Sequence, residues 1–464
     1  MLEIIQASQH SEIALVVMPQ PAPASPPKSF WRRVSDNRKQ IGPLLVRKAL
    51  DTYYQRFLER HTYGRPSETP RDTRDLLAGV PVIEVDPIRT KWSDSFKQED
   101  LDRIAGHQID VFIRLGFRIL RGGILKAARY GVWSYHHGDN IVNRGGPPGF
   151  WETMESWPET GSILQILTED LDNGKVLSRT WSCTDWSSVL DNKRNYFWKT
   201  LSLMPRKLAQ LHQQGPEAFF AQVEAANADP MLYSERLYTA PTNKEYARLL
   251  WNKTVQKARE IWRHRRYLDQ WILMYDLRGT LSSSLWRYKK LAPPTDRFWA
   301  DPHIVERDGH YYIFIEELLY ATNRGHISVI KMDKQGRYSA PERVLERPYH
   351  LSYPYLFEYD GQLYMVPESA QNRTVELYRC VEFPHKWEFV HNLMEGVKVY
   401  DATLTFHNGK WWMFANMVEV PGSSSWDELF VFWADSPLSQ QWTPHPANPV
   451  ISDCKRARPA GRLF

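Results

Sequence analysis

Hydrophobic positions in the first part of the chain alternate between short strand-like runs and stretches with helical spacing. Short apolar runs predict buried strands, and apolar residues three and four apart predict helices. The predicted strands are residues 12–18, 80–85, 109–115, 131–136 and 161–167, and the predicted helices are residues 41–60 and 98–105. Because strands and helices alternate through short links, we predict an α/β domain whose parallel sheet is covered by helices.

The opening segment, Leu2–Ala7, has the pattern of a helix that leads into the first of these strands. A parallel α/β unit normally begins with a strand, so we expect that the first strand of the domain lies upstream of Met1. Further along, apolar positions predict a helical stretch from about residue 195 to residue 266.

Beyond residue 268 the pattern changes to strands rich in Trp, Tyr and Phe, and this part contains a repeat. The three copies are residues 301–317, 353–368 and 401–416, and their turn glycines recur after 52 and 48 residues. Each copy is two strands joined by Asp-Gly or Asn-Gly, a strong hairpin signal, and a third strand follows. A period near 50 residues made of about four strands is the pattern of β-propeller blades.

A further copy opens at Ala457 and reaches Phe464 before its own turn. We therefore expect a truncated propeller that does not close within this sequence. The pattern divides the chain into an α/β domain at residues 1–190, a helical stretch at 191–284 and the propeller at 285–464. The predicted fold class is multi-domain, α/β plus all-β.

The composition excludes several classes of protein. Charged residues make up 24% of the 464 residues and the net charge is +5, which excludes a disordered chain and gives no reason to expect a nucleic-acid partner. A mean hydropathy of −0.53 and the lack of an apolar run near about twenty residues exclude a membrane span. No basic-then-apolar leader is visible and the three cysteines are far apart, so we expect a cytoplasmic protein.

The segment from Trp133 to Glu152 holds the candidate chemistry of the first domain. A strand ends in His136 and His137, and a loop rich in Gly and Pro follows at the carboxyl edge, where open α/β sheets bind ligands. Neighbouring side chains of a strand point to opposite faces, so only one histidine can serve one site, and a metal site is not expected. Downstream, the turn at Asp172 could return a carboxylate towards the histidine.

Simpler readings of the same residues stay open. The two histidines could be partly buried residues at a strand end, and Asp172 could be an ordinary turn residue. The run from Arg144 to Gly149 could serve only to shape its loop.

Several separated segments of this half resemble the folate-dependent formyltransferase family, which includes the enzymes that formylate methionyl-tRNA, glycinamide ribonucleotide and nucleotide-linked amino sugars. The resemblance covers residues 1–190 and rests on residues 109–125, the spacing from His136 to Arg144-Gly145, residues 159–161 and the turn at 171–174. The family pattern is Asn-x-His, then Arg-Gly eight to nine residues on, then an Asp in an Asp-x-Gly turn. The resemblance implies a Rossmann-like domain that transfers the formyl group of 10-formyltetrahydrofolate to an amine.

The resemblance implies catalytic roles for three residues. His136 falls on the family histidine, Asp172 on the family aspartate and Ser134 on the family asparagine. A histidine held by a carboxylate suits both stabilisation of an oxyanion and management of the amine protons. Serine is shorter and has one O–H, so Ser134 could donate to the formyl oxygen only from closer range or through water. The implied substrate contacts are Arg144 and Gly145, and the implied cofactor-binding residues are Leu115, Gly116, Phe117, Arg118, Ile119 and Leu120.

The repeats carry a second resemblance. Residues 298–303, the hairpin at 308–312 and the last segment resemble the N-terminal propeller of glucosamine inositolphosphorylceramide transferases, over residues 285–464. That module is related in shape to the five-bladed propellers of arabinanase- and xylosidase-like glycoside hydrolases, whose acidic residues converge on the channel as acid and base. Aromatic side chains beside carboxylates suit sugar rings, although blade packing would produce the same repetition. The acidic residues that could face the axis are Asp301, Glu316 or Glu317, Glu368 and Asp401.

Three functions are compatible with these patterns. The leading hypothesis is an enzyme that formylates an amine of an amino sugar or sugar-linked metabolite, with a propeller that recognises carbohydrate. The second is a degenerate formyltransferase scaffold with a glycan-binding propeller and no catalysis. The third is a glycoside hydrolase site carried by the propeller. The sequence specifies neither the acceptor amine nor the oligomeric state.

Overall fold

A computed structural model describes residues 1–20, 41–59, 71–170, 174–229, 233–278 and 284–463. The chain divides into two units. The first comprises residues 1–257 with 420–423, and the second comprises residues 258–419 with 424–464. We call the first the mixed unit, because it contains both helices and strands. We call the second the repeat unit, because it contains the repeated hairpins.

Helices and short strands alternate along the mixed unit, as the sequence predicts. The helices are α1 (Leu2–Gln6), α2 (Ile41–Tyr53), α3 (Gln98–Ala105), α4 (Phe150–Met154), α5 (Val189–Thr200), α6 (Leu203–Gln214), α7 (Pro216–Ala226) and α8 (Asn243–Arg266), the last of which continues into the repeat unit. The strands are β1 (Val16–Pro19), β2 (Val82–Val85), β3 (Ile88–Arg89), β4 (Ser93–Ser95), β5 (Phe112–Arg114), β6 (Ile119–Leu120), β7 (Val132–His136), β8 (Glu159–Ile166) and β9 (Lys175–Cys183). Within the described ranges, no helix combines the length and the apolar character that a membrane crossing requires.

The main sheet of the mixed unit has the strand order β5-β7-β8-β9, and β1 and β2 form a separate parallel pair. β5 and β7 are parallel, as predicted, with Arg114 opposite Ser134. The prediction of a parallel sheet is wrong for β8 and β9, because β7 pairs antiparallel with β8 and β8 antiparallel with β9. Only residues 167–174 connect β8 to β9, and a parallel crossover needs a dozen or more residues.

One hydrophobic core of the mixed unit lies between the main sheet and the helical hairpin of α6 and α7. Trp133 of β7 is fully buried and stacks on Phe219 of α7 with ring centroids 5.9 Å apart. Leu164 of β8 and Met204 of α6 are buried in the same cluster. This packing fixes β7, and therefore fixes where its last residues emerge at the edge of the sheet.

The repeat unit is built from antiparallel strands. They are β10 (Leu273–Tyr275), β11 (Lys289–Leu291), β12 (Arg297–Arg307), β13 (His310–Leu319), β14 (Arg324–Asp333), β15 (Glu342–Leu345), β16 (Ser352–Tyr359), β17 (Gln362–Ser369), β18 (Thr374–Glu382), β19 (Lys386–Glu395), β20 (Val399–His407), β21 (Lys410–Met417), β22 (Glu428–Ala434), β23 (Thr443–Pro444) and β24 (Ile451–Ser452).

Three consecutive sheets of this unit have the up-and-down order of propeller blades. Their strand orders are β12-β13-β14-β15, β16-β17-β18-β19 and β20-β21-β22-β23, with β24 also paired to β22. The first strands of neighbouring blades contact each other, β12 against β16 and β16 against β20. The predicted hairpins and third strands are therefore confirmed, and the blades follow one another in sequence order.

Two backbone features recur in every blade. The turn residues Asp308 and Gly309 have φ angles of 50° and 73°, and the turns at 360–361 and 408–409 share this left-handed pair. Such a pair defines the tight turn that Asp-Gly and Asn-Gly favour. The second feature is a bulge in the first strand, with left-handed φ angles of 49°, 42° and 53° at Asp301, Tyr353 and Asp401. Non-glycine residues rarely adopt this conformation, and at a bulge it re-aims the side chain.

Candidate functional site

The parallel pairing of β5 and β7 brings two predicted parts of the formyltransferase-like site to one sheet edge. β5 ends at Arg114, directly before the predicted cofactor loop, and β7 ends at His136. Since Arg114 and Ser134 are register partners, Leu115 and His136 emerge at the same edge. Asp172, the predicted carboxylate partner, lies outside the described residues.

The loop that follows β7 folds back onto His136. The Nε2 atom of His136 lies 3.0 Å from the backbone oxygen of Asn143. Arg144 donates from Nε to the backbone oxygen of Asn140 at 2.8 Å, so its side chain bridges the loop. At Gly145, an added Cβ would lie 1.7 Å from the backbone oxygen of Tyr238, so only glycine fits there. Arg144 and Gly145 thus shape the loop beside His136.

His137 faces a different environment from His136. Its ring stacks against Tyr135 at 5.9 Å and approaches Tyr196 at 5.1 Å. Burial lowers the pKa of His137 to about 4, with a further contribution from the nearby His136. His137 is therefore a neutral packing residue, and His136 is the histidine that borders the loop.

The hydroxyl of Ser134 takes part in hydrogen bonds within the sheet. Ser134 is buried, its Oγ accepts from Nη1 of Arg114 at 3.0 Å, and it donates to the backbone oxygen of Tyr135 at 3.2 Å. The family resemblance implies that this hydroxyl would donate a hydrogen bond to the formyl oxygen. In the structure its proton is directed to a backbone carbonyl instead.

The predicted cofactor segment divides into an exposed loop and a structural anchor. Leu115 is 63% exposed, and an added Cβ on Gly116 would meet no atom within 4 Å. Arg118 forms an ion pair with Asp94 at 2.6 Å and also donates to the backbone oxygen of Thr90 at 2.8 Å. The ring of Phe117 packs on Phe96, and Ile119 and Leu120 form β6, so these residues attach the loop to β4.

A small cavity of about 130 Å³ lies in the mixed unit, lined in part by Asp139, Asn143, Glu152 and Trp181. Asp139 accepts from Nε1 of Trp181 at 2.9 Å, and Glu152 accepts from Nδ2 of Asn143 at 3.0 Å. Burial raises the pKa of Glu152. Sequence reasoning missed Glu152, because a glutamate in a short helical segment carries no local sign of burial.

Carboxyl side chains from three blades come together in the repeat unit, and we call Asp301, Glu316, Glu368 and Asp401 the carboxylate cluster. Burial raises the pKa of Asp301 to about 7, with further contributions from the charges of Glu316 and Asp401. Burial also raises the pKa of Glu368 far above its usual range, and Asp401 adds to the effect. These shifts favour the protonated, uncharged form of Glu368 and, to a smaller extent, of Asp301.

Arg458 is the cation of this cluster. Its Nε donates to Oδ2 of Asp401, which is 2% exposed, and its guanidinium lies 3.8 Å from the ring centroid of Trp426. Asp401 also shares a side-chain hydrogen bond with Glu368, which contributes to the raised pKa of Glu368. Arg458-Pro in the fourth copy aligns with Asp301-Pro in the first, a signal that sequence reasoning overlooked.

A histidine accompanies Glu316. Nδ1 of His350 accepts from the backbone N–H of Gly325 at 2.9 Å, which places the proton of a neutral ring on Nε2. That Nε2 lies 3.3 Å from Oε1 of Glu316. Glu316 aligns with Glu368 at the 52-residue period, so the repeat spacing itself distinguishes Glu316 from Glu317.

Glu317, which the sequence offers as a substrate contact, is occupied by its own neighbours. Its carboxylate accepts from Arg297 at 2.9 Å, Trp299 at 3.3 Å, His326 at 3.2 Å and Ser328 at 2.7 Å. Burial alone would raise the pKa of Glu317, but these four hydrogen bonds outweigh it and lower the pKa to about 2. The side chain joins β12, β13 and β14 within one blade.

The comparisons with known proteins concern the C-terminal region. Residues 289–464 match the family model described as "Glucosamine inositolphosphorylceramide transferase 1, N-terminal". The glucosamine inositolphosphorylceramide transferase 1 of Oryza sativa subsp. japonica is 32% identical over 181 residues, which are 37% of this chain and 24% of the relative. The Arabidopsis thaliana protein of the same name is 32% identical over 170 residues, 36% of this chain and 22% of the relative. The chain spans about a quarter of the length of the curated relatives it matches.

The family match begins at residue 289, and it gives the formyltransferase resemblance of the mixed unit no support. Solved structures with partial similarity include the GH43B protein of the Bacteroides ovatus xyloglucan PUL, with a TM-score of 0.27, 15% identity, and coverage of 34% of this chain and 31% of that chain. A family 117 glycoside hydrolase from Zobellia galactanivorans has a TM-score of 0.28 and 15% identity, and covers 34% of this chain and 58% of that chain. TM-scores this low carry no argument about fold or function.

We expect Glu317→Gln to destabilise the repeat unit at neutral pH, because it removes the charge that holds Arg297 and the other donors. The free energy of unfolding should fall by about 2 kcal/mol at pH 7, measured by urea denaturation. The pKa of Glu317 is depressed from 4.5 to about 2, so its stabilisation is present above pH 4.5 and disappears as the pH falls towards 2. The difference between wild type and Glu317→Gln should shrink over that range.

The matched control is Glu358→Gln, at an exposed glutamate of β16, which should change stability by less than about 0.5 kcal/mol. Equal stability of Glu317→Gln and wild type at pH 7 would contradict the structural role of this carboxylate.

Proposed function

We propose that the repeat unit binds a carbohydrate at the carboxylate cluster. The observation that carries this proposal is the convergence of four carboxyl groups from three blades, beside one arginine and the exposed ring of Trp426. A protonated carboxyl donates to a sugar hydroxyl and an ionised one accepts from it, so a group of carboxyls with different pKa values offers both kinds of hydrogen bond. A flat aromatic face suits the apolar side of a sugar ring.

An amino sugar is the class of ligand that the charges favour. The cluster has four carboxyl groups and Arg458 as its neighbouring arginine, so its acidic groups outnumber this cation. A sugar ammonium would supply the missing positive charge through a charge-assisted hydrogen bond. The match of residues 289–464 to a family described as "Glucosamine inositolphosphorylceramide transferase 1, N-terminal" supports the same class, because that description names glucosamine.

A chemical step at the same cluster is the refinement of this proposal. Glycoside hydrolysis needs one protonated carboxyl as the general acid and one ionised carboxylate as the base or nucleophile. The environments of Glu368 and Asp301 give these two groups different pKa values, as such a pair requires. Release of reducing sugar from a bound oligosaccharide would add hydrolysis to binding. Binding without release would leave the repeat unit a recognition module.

The test is calorimetric titration of the full chain with a glucosamine disaccharide and with its N-acetylated counterpart. We expect the free amine to bind more tightly, and Asp401→Asn to weaken its binding about tenfold to a hundredfold, since a hydrogen bond to a charged group is lost. Glu388→Gln, at an exposed position of β19, is the control and should bind like wild type. No binding of either disaccharide, or full binding by Asp401→Asn, would overturn the proposal.

As a second function, we propose formyl transfer to an amine by the mixed unit. The observation in its favour is that the exposed backbone after β5 and the imidazole of His136 lie at one sheet edge, with open space at Gly116. The exposed backbone at Leu115 and Gly116, anchored by residues 117–120, would hold 10-formyltetrahydrofolate, which when bound supplies the formyl group. His136 would take a proton from the amine, and the loop carrying Arg144 would border the acceptor. Ser134 has no part in this proposal, because its hydroxyl is bonded within the sheet.

The test is mass spectrometry of amino-sugar nucleotides incubated with 10-formyltetrahydrofolate and the full chain. A product heavier by one formyl group is expected. His136→Ala should reduce its rate at least about a hundredfold through loss of the proton acceptor. Ser134→Ala should stay within about threefold of wild type, because the buried hydroxyl makes no substrate contact. No formyl product from wild type, or an unimpaired His136→Ala, would remove this second function.

A further inference from the structure

The end of α8 and the segment after it form an exposed surface in the repeat unit. Every residue from 258 to 269 is exposed, and so is Trp271. Five of the side chains in this stretch are large and apolar, and they are between 47% and 70% exposed: Ile261, Trp262, Tyr267, Leu268 and Trp271. Single exposed apolar residues are ordinary, whereas five within eleven residues are typical of an interaction site. We call residues 258–271 the aromatic–arginine segment.

The charges of the aromatic–arginine segment are predominantly positive. It contains four arginines, at 259, 263, 265 and 266, against Glu260 and Asp269. Its two acids face basic neighbours, because Arg263 lies 3.3 Å from Asp269, and His264 lies 3.6 Å from Glu260 and 3.3 Å from Asp269. The segment therefore presents positive charge together with its apolar side chains.

Arginine and aromatic side chains are interleaved on the helix itself. Trp262 and Arg266 are four residues apart and lie on one face, with the guanidinium 5.0 Å from the centroid of the indole ring. The ring of Tyr267 lies 6.1 Å from that of Trp262. The rings of Trp262 and Tyr267 and the guanidinium of Arg266 are thus held together, where a partner would meet them at once.

We propose that the aromatic–arginine segment docks onto the surface of a membrane that contains anionic phospholipid. Trp and Tyr rings favour the headgroup region, and arginines there bind phosphate groups. The last turns of α8 carry exposed Ile261 and Trp262 beside several arginines, and exposed Leu268 and Trp271 follow the helix, a composition typical of a segment that lies on a membrane. The positive charge favours an anionic surface over a neutral glycan. This surface is separate from the carboxylate cluster, so its failure would leave the carbohydrate proposal unchanged.

Liposome flotation of the full chain tests the proposal. One set of vesicles contains phosphatidylcholine alone, and the other contains about 30% phosphatidylserine to supply the anionic surface. The aromatic variant is Trp262→Ala with Trp271→Ala, and the charge variant is Arg265→Glu with Arg266→Glu. The matched control is Trp92→Ala, at a tryptophan of the mixed unit that is 68% exposed. Circular dichroism verifies that each variant is folded.

Wild type should float with the anionic vesicles and not with the neutral ones, and the bound fraction should fall when NaCl is raised from about 0.1 M to about 0.5 M. The aromatic variant should lose at least about tenfold in affinity through loss of apolar contact. The charge variant should lose about twentyfold or more, and Trp92→Ala should bind like wild type. No preference of wild type for anionic vesicles, or full binding by the aromatic variant, would overturn the proposal. A third result would also overturn it: wild type does not bind vesicles but is a dimer in size-exclusion chromatography, whereas the aromatic variant is a monomer. The segment would then be a contact between copies of the chain.

Discussion

The candidate site depends on the electrostatic repulsion between carboxylates that are buried together in the repeat unit. Two unit charges about 4 Å apart repel by about 4 kcal/mol at an effective dielectric constant of 20, so a group of carboxylates must reduce its charge or gain a cation. Both occur here: the raised pKa of Glu368 favours its uncharged form, and Asp401 binds Arg458. The cluster therefore places hydrogen-bond donors, hydrogen-bond acceptors and net negative charge close together. The proposed recognition of a polar, positively charged sugar requires this combination.

The backbone explains why these side chains meet. Asp301 and Asp401 lie at bulges, and Glu316 and Glu368 lie on the next strand, opposite the residues that precede the bulges. In each blade the first strand has a bulge with one left-handed residue, and these residues are Asp301, Tyr353 and Asp401. Such a conformation is unfavourable for a residue with a Cβ, so the surrounding pairing must impose it. The first strands of neighbouring blades contact each other. A bulge repeated at the same position of each first strand therefore directs the side chains at these positions to the same region. The repeat is thus the means by which distant parts of the sequence form one site.

The sequence predicted the features that depend on residues adjacent in the chain. The hairpin turns at Asp308-Gly309 and its equivalents were predictable, because these residue pairs adopt the required left-handed conformation most easily. The bulges were not, since they depend on pairing between two strands. The repeat spacing distinguishes Glu316 from Glu317, but the donors that surround Glu317 come from β12 and β14 and are visible only in the structure. In the mixed unit, the partner of Ser134 is twenty residues away in sequence, and the directions of β8 and β9 follow from the length of their connection.

The most direct measurement is the carboxyl ¹³C NMR titration of Glu368, with its signal assigned by its loss in Glu368→Gln. If the carboxylate cluster exists as described, this carboxyl titrates above neutral pH, well above its ordinary value of 4.5. Asp401→Asn removes the neighbouring negative charge, so it should lower the titration midpoint of Glu368. A midpoint near 4.5 in the wild-type protein, or one that Asp401→Asn leaves unchanged, would contradict the account.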